Sequence, residues 1–573
     1  MKNTILSRVL SIILLFAFVA CGGGGNSSGS TSSSSTSSST SSGDPGSNTP
    51  PVANAGLDQE VKIGNVVTLN GQDSSDPDGD NLSYLWSFQS APSFSAVALD
   101  ATTSATPSFE PDVPGTYVFQ LLVNDGTTDS AASTVSVNVL DRVWTDLQEV
   151  ERHNDQLELE DLASAGNTTM AIWTEETGAY TVPVSLWVND HTPGVGWGTP
   201  TPIAPDNGGV PILDARISVN AAGEALVVWL EAKSGNACGA GTTRYWLWMR
   251  KFTPADGWLP ATAIVDNGCR DGVSSYHDFD VAINDQGNAL IAWHHDDTSE
   301  VRAISYTPDA GWTDPVVIVS KPYPENYTFS MTFDLDFNNN NQGMLILRLD
   351  NGQFCQTTAN ECVITSMYNP ADGWSALNEI WTDPVSIGAV DHILDESGKA
   401  VVVMQGFAQV FHTKAYSPST GWMDLPDMQG RILDMDVNQS GQIMLVLVPF
   451  YDNPVDITSV VKLSASQFDY VNGWSSPELF ATYNYFAQPT PALSVGPKSN
   501  ATVTWINGRS LYSVRYSPVT GWGDMDIYER GGQFSDVPTM TLLDTDGQGN
   551  VTTVFQERDS STGINSIYSR HFE

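Results

Sequence analysis

Basic side chains are scarce in this sequence. Lys and Arg number 24 against 66 Asp and Glu in 573 residues, a formal net charge of −42. Binding to phosphate needs clustered Lys and Arg, so a nucleic-acid groove and a basic, anionic-lipid-binding face are excluded. Long apolar runs are lacking as well. Beyond the first twenty residues nothing approaches a run of about 18 apolar positions, so no spanning helix is expected. Cysteine is rare: there are five, with no CxxC and no His at ligand spacing, which argues against zinc. What is plentiful is Gly (48), Trp (17) and a 40% hydrophobic share, the composition of a folded β-rich chain rather than an acidic tail. At roughly 100–200 residues per domain the length allows three or four units, unless one repeat fold absorbs most of it.

The first residues read as an address. Residues 1–20 carry Lys2 and Arg8, then the apolar run from Val9 to Ala20, and Cys21 follows. A short charged region before such a run is a secretory signal, too short to span a membrane. Phe18-Val19-Ala20-Cys21 resembles the bacterial lipobox, although that family prefers Leu where Phe18 stands. The resemblance implies that Cys21 is diacylated and becomes the N-terminus, so lipid is the expected membrane anchor. An ordinary signal peptide with an incidental cysteine is the competing reading. Gly22 is not the Asp of an inner-membrane retention signal, so the expected location is the outer membrane, facing the periplasm or the cell surface. Residues 21–50 hold this cysteine and a linker almost wholly of Gly, Ser, Thr and Asn, with Asp44 its single charge. Such a segment buries too little apolar surface to fold and reads as a flexible stalk. Four cysteines then remain, Cys238, Cys269, Cys355 and Cys362, and an even remainder in an exported chain reads as two disulfides. Cys355 and Cys362 suit a hairpin staple, which leaves Cys238 with Cys269.

Residues 51–141 alternate as strands at Glu60 to Leu69, Ser83 to Ser87, Thr116 to Asn124 and Ala132 to Leu140, between Gly, Pro and Asp clusters. That spacing predicts an immunoglobulin-like sandwich. Pro51 to Gly56, Ser75-Asp-Pro-Asp-Gly-Asp80, Leu85-Trp-Ser-Phe88 and Gly115-Thr-Tyr117 through Val123-Asn-Asp-Gly126 resemble a PKD domain. The family implies an extracellular spacer or a protein- and glycan-contact module, with Trp86 and Tyr117 in its core. Asp76, Asp78 and Asp80 alternate around Gly79 and offer oxygen ligands for Ca²⁺, the one cofactor considered. The alternative is an Asx-rich turn.

From residue 142 to residue 573 the chain repeats. One phrase reads Phe252-Thr-Pro-Ala-Asp-Gly-Trp258, Tyr306-Thr-Pro-Asp-Ala-Gly-Trp312, Tyr368-Asn-Pro-Ala-Asp-Gly-Trp374, Tyr416-Ser-Pro-Ser-Thr-Gly-Trp422 and Tyr516-Ser-Pro-Val-Thr-Gly-Trp522. Looser copies end at Trp197 and Trp474, and successive steps are 61, 54, 62, 48, 52 and 48 residues. Pro presets the first turn position and Gly supplies the left-handed one, so each phrase is a hairpin with Trp opening the next strand. A second phrase, strand–turn–strand, ends at Trp173, Trp229, Trp293, Leu347, Met404, Leu447, Trp505 and Phe555. Periods of this size, with four strands each, predict a β-propeller. The second phrase occurs eight times and the Gly-Trp phrase seven, while 143–150 stands alone before the first repeat. The expectation is eight blades, with 143–150 supplying the last outer strand and closing the ring; seven blades is the fallback. The fold class is therefore all-β, a PKD-like sandwich followed by a propeller.

Chemistry is harder to read. Acids gather after the second strand of several repeats: Glu175, Glu176, Glu231, Asp296, Asp297, Asp350, Asp452, Glu557 and Asp559. They would share one rim, facing a cation or a basic or polyhydroxyl ligand, or they are simply solvated loop acids. His294-His295-Asp296-Asp297, with His277-Asp278 before it, is the densest cluster. Neighbours on a strand face opposite ways, so both His cannot ligate one metal without a bulge. No Ser/His/Asp arrangement stands out. The expected function is a non-catalytic binding, adhesion or scaffold protein for extracellular polysaccharide or protein. An extracellular glycan-active enzyme of sialidase- or lyase-like type and an outer-membrane assembly scaffold are the alternatives.

Overall fold

The computed structural model describes residues 48–573, apart from 154–155, 177–182, 205–209, 235–242, 271–278, 296–299, 321–330, 350–360, 384–386, 407–409, 439, 450–459, 485–490, 509, 530–539 and 560–563. Every regular element among the described residues is a β-strand. None of them forms a helix long and apolar enough to cross a membrane.

The first unit is a sandwich. Gln59–Lys62, Ser133–Leu140, Gly115–Asn124 and Ser83–Ser90 form one sheet in that spatial order, the first pair parallel. The strand expected from Glu60 to Leu69 is broken. Gly64 adopts φ +94° in a turn, and Val67–Thr68 beyond it pairs instead with Ser108–Phe109 in the second sheet. A left-handed turn residue redirects the chain from one sheet to the other, which alternation of apolar residues does not reveal. Trp86, Phe109, Tyr117, Phe119 and Leu121 fill the core. The buried Tyr117 hydroxyl donates to the Val113 carbonyl at 2.8 Å and accepts from Val113 N at 3.2 Å, fixing the corner before its strand.

Beyond residue 141 eight sheets follow in chain order among the described residues. Their innermost strands are Leu157–Ala165, Ile212–Val219, Phe279–Ile283, Met331–Phe337, Ile387–Leu394, Arg431–Val437, Ala492–Val495 and Met540–Thr545. Each touches the next, and the last touches the first, so the sheets close a ring. The residues ending the second phrase, from Trp173 to Phe555, are all buried between sheets. Each Gly-Trp phrase is a turn whose Gly takes positive φ, as at Gly521 (+77°), and whose Trp packs on the aromatic residue opening the phrase; Tyr516 and Trp522 have centroids 5.3 Å apart.

The eighth sheet takes its outer strand from the start of the ring. Gln148–His153 runs antiparallel to Ile564–Phe572, with Gln148 opposite Ser569 and His153 opposite Asn565. The pairing lies a few residues later than the 143–150 read from sequence. An isolated bridge, Trp144 to Phe572, Thr145 N donating to the His571 carbonyl at 2.7 Å, and Val143 and Glu573 exchanging N–H···O bonds at 3.3 Å continue it toward the sandwich.

Two sets of polar side chains stitch neighbouring sheets. The inner strand of each sheet is an edge strand, whose alternate N–H groups lack a ladder partner. Carboxylates of the preceding sheet cover them: Asp161 accepts from Ile217 N (3.0 Å), Asp280 from Leu335 N (2.9 Å), and Asp336 from Leu394 N (2.8 Å). Asp434 accepts from Leu493 N, Asp436 from Val495 N and Asp544 from Ser164 N, at 2.6, 2.6 and 2.5 Å. The second set sits in the turn after each inner strand. Asn220, Asn284, Asn338 and Asn438 donate from Nδ2 to a turn carbonyl of the next sheet, at 2.9, 3.2, 2.8 and 3.0 Å. Their Oδ1 atoms accept N–H groups of their own turn.

Candidate functional site

Successive strands of one sheet run up and down, so the turn after each inner strand and the Pro-x-x-Gly turn share one rim. The connection from second to third strand lies on the other. The first rim is uniform: from the second sheet to the eighth, the inner-strand turns run 219 to 225, 283 to 289, 337 to 343, 394 to 400, 437 to 443, 495 to 501 and 545 to 551. The second rim varies. Its second-to-third-strand connections run 175 to 185, 234 to 243, 295 to 300, 349 to 361, 406 to 410, 448 to 460, 507 to 510 and 559 to 564.

At the variable rim, one register position two residues beyond the buried Trp or its equivalent carries Glu175, Glu231, His295, Leu349, Gly406, Pro449, Asn507 and Glu557. Four consecutive sheets, the eighth through the third, thus place Glu557, Glu175, Glu231 and His295 on one arc, whereas the next three bring Leu, Gly and Pro. The sequence pattern puts these acids in a loop. They sit instead within strand ends and are buried, because neighbouring sheets cover both faces of the strand. Glu231 accepts from Trp229 Nε1 at 3.0 Å. His294 and His295 point to opposite faces and both are buried, with an unbroken register against Glu300–Thr307. Glu176 is half-buried, its N–H bonded to the Gln156 carbonyl. Asp559 ends its strand, but its side chain is not described. Asp296, Asp297, Asp350, Asp452, His277 and Asp278 lie outside the described residues.

The channel is the feature that the sequence pattern left unseen. Glu160, Asp161, Asp214, Asp280, Asp334, Asp336, Asp391, Asp434, Asp436 and Asp544 come from inner strands, with Arg216 and His392 among them. Asp or Arg stands two or four residues before most of these turns, and at both positions in Phe333-Asp-Leu-Asp-Phe337 and Ile432-Leu-Asp-Met-Asp-Val437. That period-two pattern is the signal that could have found them. Enclosure, with repulsion from neighbouring acids at all of them but Asp434, raises Asp336 and Asp434 to about 6, Asp544 to about 7, and Asp436 and Glu160 to about 8, whereas His392 outweighs burial and holds Asp334 below the ordinary range. His392, with Nδ1 3.3 Å from Asp334 and Nε2 3.3 Å from Asp336, is raised to about 9 by these acids despite its burial. Arg216 binds Asp214 at 2.8 Å.

Asp76 Oδ1 accepts Asp78 N at 2.8 Å and Asp80 N at 3.1 Å, and Asp78 accepts Thr49 N at 2.6 Å, so this run is wound as an Asx turn with Gly79 at φ +85°. Among the described residues no three or more His, Cys, Asp or Glu stand together as a metal-binding group. Cys362 is disulfide-bonded. Cys21, Cys238 and Cys355 lie outside the described residues, and the side chain of Cys269 is not described.

Residues 55–139 match a family model for a PKD domain, so this part of the chain is a PKD-like domain. A PKD domain solved in solution, from KIAA 1837 protein, is 32% identical over 17% of this chain and 92% of its own, with TM-score 0.15. A nucleoside hydrolase-related hypothetical protein from Saccharophagus degradans associated with carbohydrate metabolism is 27% identical over 16% of this chain, TM-score 0.15, and the match spans only 26% of that protein. Over the ring, an ulvan-type polysaccharide lyase aligns with 67% of this chain and 94% of its own at 11% identity and TM-score 0.36. No curated protein matches the chain.

Proposed function

We propose that this protein is an exported, lipid-anchored binding or scaffold protein, whose propeller displays one rim to an extracellular polysaccharide or protein ligand without transforming it. The observation that carries the reading is the asymmetry of the two rims. Turns on one rim are uniform and serve the blade-to-blade stitches. That rim also receives the PKD-like domain: Arg142 donates to the Gln548 and Gly549 carbonyls at 2.6 and 2.5 Å, and Lys498 donates to the Gly64 carbonyl at 3.0 Å and pairs with Glu110. Connections on the opposite rim differ in length from blade to blade, which is how one scaffold acquires a particular ligand. With Cys21 lipidated and residues 22–50 as a stalk, the tether leaves from the PKD side and the variable rim faces outward. The location in this reading is the outer membrane, at its periplasmic or outer face. Glu175, Glu231, Glu557 and the two His support that rim from beneath.

The test is calorimetry of the mature chain against polysaccharides and cell-envelope extracts, with chromatography of the mixtures. Binding without new products is expected. Replacing 451–457 on the variable rim by a Gly-Ser segment should alter it, whereas the same exchange at 254–256 on the uniform rim should not. Turnover of any glycan would overturn the reading.

A further inference from the structure

The PKD-like domain and the propeller enclose a cleft of about 450 Å³ on the uniform rim, within the size range of small-ligand sites. Its walls come from Ile63, Gly64 and Pro111–Pro114 on one side and from turns of the seventh and eighth sheets on the other, with Arg142 and Trp144 between. Most cations and acids of the wall have partners. Lys498 pairs with Glu110, Asp526 binds Arg570 at 2.9 Å, and Asp112 accepts from Ser95, Ala96 N and the Tyr117 hydroxyl. Asp141 caps the N–H of Arg142.

Arg515 is different. Its guanidinium lies 3.7 Å from the Phe572 ring centroid, and Nε makes one long hydrogen bond to Thr502 Oγ1 at 3.4 Å. Among the described residues no carboxylate reaches its terminal nitrogens. The charged groups that act on it are another guanidinium, Arg142, and the Asp141 carboxylate. Burial and that like charge together pull Arg515 down to about 10, with Asp141 only partly offsetting them. Two further donors wait beside it. The Ser513 hydroxyl and Arg142 Nε are buried in the cleft wall without a hydrogen-bond partner. Leaving a buried donor unmet costs about 1–3 kcal/mol, and two adjacent guanidiniums repel. An anion between them would relieve both, and it would do so in a protein whose overall charge disfavours anions elsewhere.

We infer that this cleft is a second binding site, separate from the variable rim, and that it takes the oxyanion group, carboxylate or sulfate, of a small extracellular ligand through Arg515 and Ser513. The planar guanidinium, held flat on Phe572, offers a two-pronged contact that such a group matches. The reading does not depend on the function proposed for the opposite rim.

The experiment titrates the full mature chain with sodium glucuronate, sodium sulfate and glucose at fixed ionic strength, followed by calorimetry or ligand-detected NMR. Glucuronate or sulfate should bind and neutral glucose should not; which anion binds tells a carboxylate ligand from a sulfated one. Arg515→Met should weaken the anion at least about tenfold, the worth of one charged hydrogen bond, and Arg515→Lys should weaken it less. Ser513→Ala, a smaller change to the fold, should also weaken it, by about threefold or more. Binding of neither anion, or anion binding that both Arg515→Met and Ser513→Ala leave unchanged, would overturn the inference.

Discussion

At the scale of single residues, the acidity of this chain has a structural use. Five of the six channel Asp that reach the next sheet, all but Asp336, also cap the N–H following them, as Asp436 does with Val437 N at 2.7 Å while it accepts Val495 N at 2.6 Å. One side chain therefore satisfies two donors on edge strands that have no ladder partner. Asp436→Ala should lower the unfolding free energy by about 1–3 kcal/mol, the cost of leaving such a donor unmet. Asp436→Asn keeps an acceptor and is uncharged, like the protonated acid that the fold favours, so it should cost less. Denaturant titration of both variants decides the matter, and equal losses would count against the capping role. The rim acids were legible as a repeating feature but not as buried ones. Glu175, Glu231 and Glu557 end strands whose two faces are both covered, and a sequence shows only that polar residues lie near a loop.

At the scale of elements, the Pro-x-x-Gly-Trp phrase was readable because its requirements are local: proline geometry, a left-handed glycine and an aromatic partner a few residues upstream. The strand expected from Glu60 to Leu69 failed for the converse reason. Its break at Gly64 serves pairing with a distant partner, Ser108–Phe109. The eighth sheet illustrates a longer reach still. Gln148–His153 covers what would otherwise be the exposed edge of Ile564–Phe572. A chain beginning at residue 157 should retain β-sheet circular dichroism, unfold at lower denaturant concentration, and self-associate in sedimentation measurements. An unchanged, monomeric product would show that the seam contributes little.

At the scale of the whole molecule, two sets of titrating groups oppose each other, one of buried histidines and one of half-buried channel acids. His191 and His571 stack with centroids 3.6 Å apart where the first and eighth sheets meet, and burial holds them near 4 and 3. The folded state prefers them neutral, so their contribution is whole above the ordinary histidine range and fades as pH falls through about 6 toward these values. The channel acids behave in reverse. The fold prefers Asp336, Asp434, Asp544 and Asp436 protonated, so their contribution is whole near the ordinary carboxylate range and is lost as pH rises through about 6 to 8. His392 adds stability that is present below the ordinary histidine range and lost as pH rises through about 9. The melting temperature at constant ionic strength should therefore be highest near the ordinary carboxylate range and fall as pH rises from there to about 8, because the channel acids outnumber the two histidines. A steady rise from pH 5 to pH 8 in scanning calorimetry would contradict the channel assignment.

Read alone, the order of amino acids settles the local grammar: a PKD-like sandwich, β-hairpin repeats, their turn chemistry and their buried Trp, Leu, Met and Phe positions. These follow from alternation, glycine and proline, which act within a few residues. The folded molecule was needed to show which carboxylates cap which distant N–H groups, where the two sheets of the sandwich exchange a strand, and how a guanidinium comes to lie unmatched between two domains. Those outcomes depend on groups from about forty to several hundred residues apart being brought together by the folded chain, the longest reach coming from ring closure and domain docking, as with Asp544 and Ser164 or Arg142 and Gly549. No spacing along the chain encodes such a contact.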